Sequence, residues 1–291
     1  MTTKAPMFAM TMVYNENHNL QRWINYYGVK VGLGSLYIID HGTNDGSTCG
    51  LDNSINIIRI PREEFDDAQR LKLVQGFFNG LLEYFDTGLF ADADEFVVPD
   101  PEKYSDIFEY SKRMNVDCVY AVGLNIVEIM NKDAPFRTDR PILGQRDTAV
   151  LSNSMCKPLL AKAPIAWNPG FHTSSADLFF DPDLFLMHTK YASKEEAYAR
   201  LSVTRQMKWS DDALQKNVGR HQRWRDDELE ARYNSYDKRY CMNDLTPFDF
   251  VIDCNEMVRD AWKNKAGLWV RDNRVPERMV NIPERFFSVG V

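Results

Sequence analysis

The chain has 291 residues, of which 44% are hydrophobic and 12% aromatic, and a formal net charge of −7 at pH 7. This length can bury a sizeable core, and the composition is that of an ordinary globular protein. The negative charge excludes bulk nucleic-acid binding, which requires a basic surface. The five cysteines are scattered and odd in number, which favours reduced thiols in a cytoplasmic protein over disulfides or a zinc site. No segment approaches the run of about 18 apolar residues that spans a membrane.

The first 130 residues alternate strand-like and helix-like patterns. Leu20, Ile24, Tyr27 and Val31, for example, recur on one helical face. Such alternation predicts an α/β fold with a mostly parallel sheet, covered by helices on both faces. The predicted strands are 7–14, 36–40, 55–60, 88–98 and 116–127, and the predicted helices are about 20–31, 66–85 and 102–114.

The most informative segment is Phe90-Ala91-Asp92-Ala93-Asp94-Glu95-Phe96, near the end of the predicted strand 88–98. Alternate side chains share a face in a strand, so Asp92 and Asp94 are predicted to point the same way, roughly 6.6 Å apart. Two carboxylates so placed resist burial unless a cation neutralises them. A divalent ion that also binds substrate phosphate would do so. The alternative interpretation is an acidic strand end in solvent.

Three polar clusters follow predicted strands: Asn15-Glu16-Asn17, the stretch from Asp40 to Ser47, and the stretch from Asp92 to Glu95. The carboxyl ends of parallel strands meet at one edge of a sheet, where α/β proteins bind their ligands. The sequence therefore predicts that the three clusters converge on one crevice.

The second half of the chain is less regular. Prolines interrupt 130–190, where short strands and loops are predicted. Ser193 and Glu196 have the spacing of a capping box, and 193–240 is predicted to form two or three helices. That region carries 11 Lys/Arg against 9 Asp/Glu, which suits either a solvated helical face or peripheral contact with an anionic lipid surface at the inner face of a membrane.

These clusters, in this order, resemble glycosyltransferase family 2 and its relatives. The most similar subgroup has Asn-Glu before a helix, then an Asp-x-x-Ser/Thr-x-Asp-Gly loop, then Asp-x-Asp-Glu-Phe. Here these elements are Asn15-Glu16, the loop from Asp40 to Ser47, and the stretch from Asp92 to Phe96. Many members begin the loop with two aspartates, where this chain has Asp40-His41, which leaves the donor's base open. Further similar positions are Gln75, Asn79, Lys157, His172 and the stretch from His188 to Lys194.

The resemblance covers about residues 7–200. It implies a GT-A fold, with a catalytic domain at 1–192 followed by a mostly helical C-terminal extension at 193–291. It also implies metal-dependent transfer of a sugar from a nucleotide-diphosphate donor, with a UDP-sugar favoured. The acceptor would be a saccharide or glycolipid in surface polysaccharide or lipopolysaccharide synthesis, and the anomeric centre would be inverted.

The resemblance further assigns roles to individual residues. Asp94 would bind Mn²⁺ or Mg²⁺, a Lewis acid for the diphosphate, and Asp92 would contact the ribose or the metal. His188 would be a further metal or phosphate ligand, with His172 as its alternative, and imidazole ligands favour manganese. The residues predicted to bind the donor are Asn15, Glu16, Asp40, Asp45, Gln75, Asp92 and Lys157.

The catalytic base is not fixed by any spacing. An inverting displacement requires a carboxylate or a histidine near the acceptor. The residues of the acceptor-facing stretch that meet this requirement are Glu128, Asp147, His172 and Asp177, with Asp177 and Glu128 named first.

Two other function classes stay open. One is a nucleotidyltransferase or phosphohydrolase that also uses paired aspartates, although the segment from Val13 to Asn17 lacks the glycine-rich phosphate loop after the first strand. The other is a non-catalytic module that binds a nucleotide-sugar at a degenerate metal site.

Overall fold

A computed structural model describes residues 3–62, 64–259, 261–271 and 275–291. Helices and strands alternate along the first half of the chain. The helices are α1 Asn19–Val31, α2 Asp67–Leu81, α3 Ile107–Arg113, α4 Lys194–Arg205, α5 Asp211–Gln215, α6 Asp226–Cys241 and α7 Val251–Arg259. The strands are β1 Ala5–Val13, β2 Leu36–His41, β3 Asn56–Ile60, β4 Phe85–Phe90, β5 Glu95–Pro99, β6 Cys118–Val127, β7 Thr148–Leu151, β8 Pro158–Ala161, β9 Phe180–Tyr191, β10 Leu245–Thr246, β11 Ala261–Lys263, β12 Trp269–Arg271 and β13 Met279–Asn281.

The N-terminal strands form the parallel half of the main sheet, in the order β3-β2-β1-β4. Strand β1 is apolar on both faces because both faces are covered. Met7 and Ala9 belong to the core cluster that includes the buried face of α1, whereas Phe8 and Met10 pack in the cluster of α2. The predicted α/β class, with helices on both faces of a Rossmann-like parallel unit, is confirmed.

Beyond β4 the sheet is mixed. Strand β8 pairs antiparallel with both β4 and β6, and β6 continues through β7 and β13 to β10. The long strand β9 pairs in parallel with β6 and antiparallel with β5. The second half of the sheet thus adds antiparallel pairs to the parallel core.

The prediction of one strand over 88–98 is wrong. Strand β4 ends at Phe90 and β5 begins at Glu95, and residues 91–94 between them form a turn, hereafter the acidic turn. A hydrogen bond from the Glu95 N–H to the Asp92 carbonyl closes it (2.9 Å). The chain turns here because β4 pairs with β1, whereas β5 pairs with β9. Asp92 and Asp94 therefore do not share the face of a strand.

The predicted helical region 193–240 contains α4, α5 and α6, which agrees with the two or three helices predicted there, and α7 follows it. Ser193 caps α4 by accepting from the Glu196 N–H (3.3 Å). The C-terminal extension also rejoins the main sheet, because β13 pairs antiparallel with β7 and in parallel with β10. The extension therefore shares its sheet with the N-terminal unit. Among the described residues no helix is long and apolar enough to cross a membrane.

Candidate active site

A cavity of about 450 Å³ opens at the carboxyl edge of the parallel strands. Tyr14 and Glu16, which follow β1, line it together with His41 of β2 and the acidic turn after β4. This is the edge at which the polar clusters were predicted to converge, and members of all three clusters do line the cavity. We call this cavity the cleft.

Asp94 and His188 face each other in the cleft. The Asp94 Oδ2 and His188 Nε2 atoms are 3.2 Å apart, and His188 Nδ1 is 2.6 Å from Asn125 Oδ1. With Asn125 Oδ1 as the acceptor, Nδ1 carries the proton. Nε2 is then either protonated and ion-paired with Asp94, or it turns a lone pair towards a carboxylate. In the second state a cation between the two groups removes the repulsion between them.

The pair also fits a divalent ion by its spacing. Two ligands about 2.1 Å from one octahedral ion lie roughly 3 Å apart. Among the described residues no group of three or more His, Cys, Asp or Glu side chains could hold a metal. Two protein ligands with open positions suit an ion that completes its shell with water and substrate phosphate.

Asp92 is held by cations instead. Arg70 of α2 donates to it, and the Lys157 Nζ lies 3.9 Å from its Oδ2. Lys157 also donates to the buried carboxylate of Glu95 at 2.5 Å. Burial raises the pKa of Glu95, and the nearby Lys157 opposes this shift. The aspartates of the motif therefore have different surroundings, since Asp92 is neutralised by the protein and Asp94 faces a histidine.

The electrostatic field around Asp94 favours its anionic form. Burial works to raise the pKa of Asp94, but His188, Lys190 and Arg200 outweigh it and lower this pKa well below the ordinary value. For Lys190 the surroundings disfavour the charged form. Burial lowers its pKa to about 8, although Asp94 opposes that shift. An anionic ligand beside Lys190 would relieve this effect by favouring its charged form.

The other end of the cleft is aromatic. The Arg62 guanidinium lies 3.9 Å from the centre of the Tyr14 ring, and Arg62 Nη1 is 3.1 Å from His41 Nδ1. Burial, reinforced by Arg62 and Arg70, lowers the pKa of His41 to about 4. His41 is therefore neutral at neutral pH, at the loop position where many family 2 members carry a second aspartate.

Residues 206–224, hereafter the covering segment, close one side of the cleft. Phe65 binds this segment through backbone hydrogen bonds with Lys208 (2.7 Å) and Ser210 (3.0 Å). His221 of the segment lines the cleft, and burial, with Lys190 as the next cause, lowers its pKa to about 3. Four of the five histidines of the chain thus line one cleft.

Glu16, Asp92 and Lys157 line the cleft, but the other four residues predicted to bind the donor do not. Asp40 is buried and accepts from the Thr48 hydroxyl at 2.9 Å. Asp45 accepts from the backbone N–H two residues further on, in an exposed turn. Asn15, in the loop after β1, exchanges hydrogen bonds with Asn44 in the loop after β2 (2.9 Å). These side chains shape the loop that follows β2.

Gln75 also lies outside the cleft lining and supports a loop. Its side-chain oxygen accepts from the Trp167 N–H (2.9 Å). Asn79, one turn further along α2, exchanges two hydrogen bonds with the backbone of Ile165. Both amides therefore order residues 165–167, which lead to the part of the cleft that contains His172.

Neither residue named first as the catalytic base lies in the cleft. The Asp177 side chain is 93% exposed and has Lys263 as its neighbour at 3.5 Å. Glu128 accepts from the Lys194 N–H at the start of α4 (2.6 Å) and lies 3.3 Å from Arg146. Asp147 pairs with Lys132. Of the residues considered for this role, His172 alone lines the cleft.

Comparison with known proteins gives partial structural matches. No family model and no curated protein matches the sequence. One structural match is S. aureus TarS 1-349, with 13% identity, a TM-score of 0.38 and coverage of 69% of this chain and 63% of that one. Another is the mannosyltransferase PcManGT from Pyrobaculum calidifontis in complex with GDP-Man and Mn²⁺, with 11% identity, a TM-score of 0.39 and coverage of 70% and 62%.

The chain therefore spans less than two thirds of the length of either structure that it matches. Both TM-scores are below 0.5. The α/β fold is therefore established by the strand order and pairing of this protein's own sheet, and the candidate chemistry rests on the residues that line its own cleft.

Most of the cations of the cleft have no signal in the sequence. Arg62 and Arg70 lie on either side of the start of α2, and Arg200 lies on α4, where a basic side chain usually faces solvent. Arg200 instead binds Glu16 (2.9 Å) and two carbonyl groups of the loop after β1. Lys190 lies within the stretch from His188 to Lys194 that resembles family 2, but no pattern distinguishes it from its neighbours there.

Proposed function

We propose that this protein is a metal-dependent, inverting glycosyltransferase that takes a sugar from a nucleotide-diphosphate donor, with a UDP-sugar favoured, to a saccharide or glycolipid acceptor. The observation that carries the proposal is the pair of Asp94 and His188, a carboxylate and an imidazole 3.2 Å apart at the edge of a parallel sheet. Such a pair offers the ligands that manganese accepts, beside cations that attract a diphosphate.

The leaving group determines what the cleft must supply. A nucleoside diphosphate departs with a developing negative charge, and fixed positive charge that stabilises this charge usually makes the largest contribution to catalysis. Arg70 and Lys157 form ion pairs with Asp92 and Glu95, which fix their position in the cleft. Lys190 is destabilised in its charged form by burial. Lys190 is therefore a cation whose charged form a bound diphosphate would favour.

A bound Mn²⁺ or Mg²⁺ would act as a Lewis acid on the diphosphate oxygens, and Asp94 and His188 would hold it. Asn125 fixes the orientation of His188 through the hydrogen bond to Nδ1. Partners of this kind orient a metal-binding histidine and raise its basicity. Asp92 would act through Arg70 and Lys157, which it keeps in position beside the donor.

The acceptor class and the pathway are proposed from the sequence resemblance and not from the geometry of the cleft. Synthesis of a surface polysaccharide or lipopolysaccharide, at the cytoplasmic face of a membrane, is the role that the resemblance of the ordered motifs to family 2 implies. The division into a GT-A domain at 1–192 and an extension at 193–291 has the same basis. The covering segment supports a role for the extension in donor binding, because it contributes His221 to the cleft.

The proposal is tested by measuring nucleotide release from UDP-glucose, UDP-N-acetylglucosamine, GDP-mannose and dTDP-glucose, with Mn²⁺ or with EDTA. We expect the nucleoside diphosphate to be released from at least one donor with Mn²⁺, and the activity to be lost with EDTA. Asp94→Ala should lower the rate by about 10²–10³-fold, as the loss of one charge-stabilising group does. The matched control is Asp86→Ala, an exposed aspartate on β4, which should keep the wild-type rate.

Other products would contradict the proposal in distinct ways. Release of a nucleoside monophosphate would identify a nucleotidyltransferase or phosphohydrolase. Binding of UDP or GDP with Mn²⁺ and no turnover of any donor would identify a non-catalytic module. A wild type that releases the nucleoside diphosphate as fast in EDTA as with Mn²⁺, and an Asp94→Ala variant that matches this rate, would exclude a role for the metal.

A further inference from the structure

A second cavity, of about 580 Å³, adjoins the cleft. The two cavities share the side chains of Pro169 and His172 and no other described residue. His172 therefore stands at the junction between the space assigned to the donor and the space next to it.

The lining of the second cavity is polar in eight of its twelve described residues, of which two, Arg271 and Glu277, are charged. It combines hydroxyl groups, carboxamides and one guanidinium, which are groups that bind the hydroxyls of a saccharide. The polar side chains that line it include Ser152, Ser154, Asn168, Thr173, Arg271 and Glu277. Arg271 stiffens the wall, because it donates to the carbonyl groups of Cys156 (2.9 Å) and His172 (3.2 Å). The charge of the lining suits an uncharged saccharide better than a second phosphate.

The protonation pattern of His172 is set by a backbone contact. Its Nδ1 lies 2.6 Å from the carbonyl oxygen of Ser154. A carbonyl only accepts hydrogen bonds, so Nδ1 carries a proton. In the neutral ring Nε2 then has a lone pair and accepts a proton. This is the arrangement that a general base requires.

The residue at position 170 keeps space beside Nε2. A Cβ added to Gly170 would lie 2.6 Å from this nitrogen, and Gly170 has a φ of +78° that favours glycine. Phe171 anchors the same turn by packing against Phe90, with 4.6 Å between the ring centres. The turn therefore holds the imidazole in place, and the glycine at position 170 keeps a side chain of that residue away from the free nitrogen.

The charges around His172 keep the ring neutral before the donor binds. Burial, followed by Lys157, lowers its pKa to about 4; Arg271 acts in the same direction, whereas the Ser154 carbonyl and Asp92 oppose the shift. A donor diphosphate placed against Lys157 would offset that cation and raise the basicity of the ring.

We propose that the second cavity binds the acceptor saccharide and that His172 Nε2 removes the proton from its attacking hydroxyl. The proposal rests on the proposed glycosyltransferase function. The acceptor oxygen forms a bond to the anomeric carbon, and the bond from that carbon to the diphosphate oxygen breaks. The nucleoside diphosphate leaves with the electron pair, and the acceptor proton moves to Nε2, which becomes an imidazolium.

The first test replaces the base and keeps its anchor. In His172→Asn the side-chain amide takes the position of Nδ1–H and can still donate to Ser154, but no group replaces Nε2. The turnover of the nucleotide-sugar that the wild type uses should fall by about 10²–10⁴-fold, the usual contribution of a general base. The affinity for UDP or GDP with Mn²⁺ should be unchanged. The control is His18→Asn, because His18 lies outside both cavities. A wild-type rate in His172→Asn would overturn the assignment of the base.

The second test fills the acceptor cavity. Ser154→Trp places an indole in the second cavity without removing the carbonyl that binds His172, and Ser54→Trp in an exposed turn is the matched control. The probe acceptors are the methyl pyranosides of glucose, galactose, mannose and N-acetylglucosamine. In the wild type they should raise diphosphate release above the rate with water alone. Ser154→Trp should lose this stimulation, whereas Ser54→Trp should keep it.

The outcomes separate the two proposals. Failure of the wild type to bind UDP or GDP with Mn²⁺ and to release a nucleoside diphosphate would reject the proposed function. Donor turnover without any stimulation by the saccharides, or stimulation that survives Ser154→Trp, would reject only the acceptor cavity.

Discussion

At the scale of single residues, the three carboxylates of the acidic motif have different partners. Asp92 and Glu95 form ion pairs with basic side chains, whereas Asp94 faces His188. This division explains how three carboxylates lie within four positions of a largely buried segment. A carboxylate without a partner is costly to bury, and each of these has one.

The ion pair of Lys157 with Glu95 provides a stability prediction. Lys157 is 5% and Glu95 2% exposed, so Lys157→Met leaves a buried carboxylate without its cation. Loss of one partner of a buried pair costs about 3–5 kcal/mol of unfolding free energy. Burial raises the pKa of Glu95 and Lys157 opposes this, so the variant has an even higher pKa for Glu95. A carboxyl with a raised pKa in the folded state destabilises the protein as pH rises through the range between its unfolded and folded pKa values.

The destabilisation caused by Lys157→Met should therefore be smaller at pH 5 than at pH 8, as measured by urea unfolding. The double variant Glu95→Gln with Lys157→Met is the control, because it has no carboxyl at this position and its stability relative to the wild type should vary less with pH. An equal loss of stability at both pH values in Lys157→Met would contradict the role assigned to Glu95.

At the scale of the elements, β6 packs against the turn that leads to Lys157 in the cleft. A Cβ on Gly123 would lie 2.2 Å from the backbone carbon of Met155. Gly123 also accepts from the Ser152 N–H at 2.9 Å. The turn at 153–155 therefore lies against bare backbone, and it leads directly to Lys157.

We predict that Gly123→Ala destabilises the protein by at least about 1–3 kcal/mol, the usual cost of overpacking, and also weakens binding of UDP with Mn²⁺. The matched change is Gly80→Ala on α2, where an added Cβ meets nothing within 4 Å. That variant should gain about 0.4–1 kcal/mol, because alanine restricts the unfolded chain. Thermal unfolding and calorimetry measure both effects. Wild-type stability in Gly123→Ala would show that the turn moves freely away from β6.

Local patterns predicted the elements that depend on local sequence. The apolar runs of β1 to β3 and the helical periodicity of α1 are present as predicted, and Gly32 ends α1 with a φ of +85°. The acidic segment was predicted wrongly as one strand, because its break depends on a change of pairing partner far away in the sequence. The length of β9 was not predicted from the sequence either. Pro182 lies within it, at an irregularity in its pairing with β6.

The candidate site was predictable only where the motif residues themselves line the cleft. Asp94, Glu16, Lys157 and His188 lie in the cleft, and the ordered motifs pointed to all of them. Asp40 and Asp45 belong to the same motifs but serve the loop, because short polar side chains also bond nearby backbone in turns. Arg70 gave no signal, since one arginine on a helix is normally solvated.

At the scale of the whole molecule, the two halves of the chain build the cleft together. The N-terminal strands supply the acidic turn, and β9 supplies His188 and Lys190. The extension supplies Arg200 from α4 and His221 from the covering segment. Because β13 joins the main sheet, these contributions rest on one continuous framework. Donor binding should therefore depend on residues beyond 192 as well as on the acidic motif.

The central claim is that Asp94 and His188 hold a divalent ion that binds a nucleoside diphosphate. Its most direct test is the anomalous difference map of crystals grown with Mn²⁺ and UDP, compared with crystals of Asp94→Ala grown in the same way. We predict a manganese peak in contact with Asp94, His188 Nε2 and the diphosphate oxygens in the wild type, and no such peak in the variant. Well-ordered UDP in the wild-type cleft with no manganese peak between Asp94 and His188 would contradict the claim.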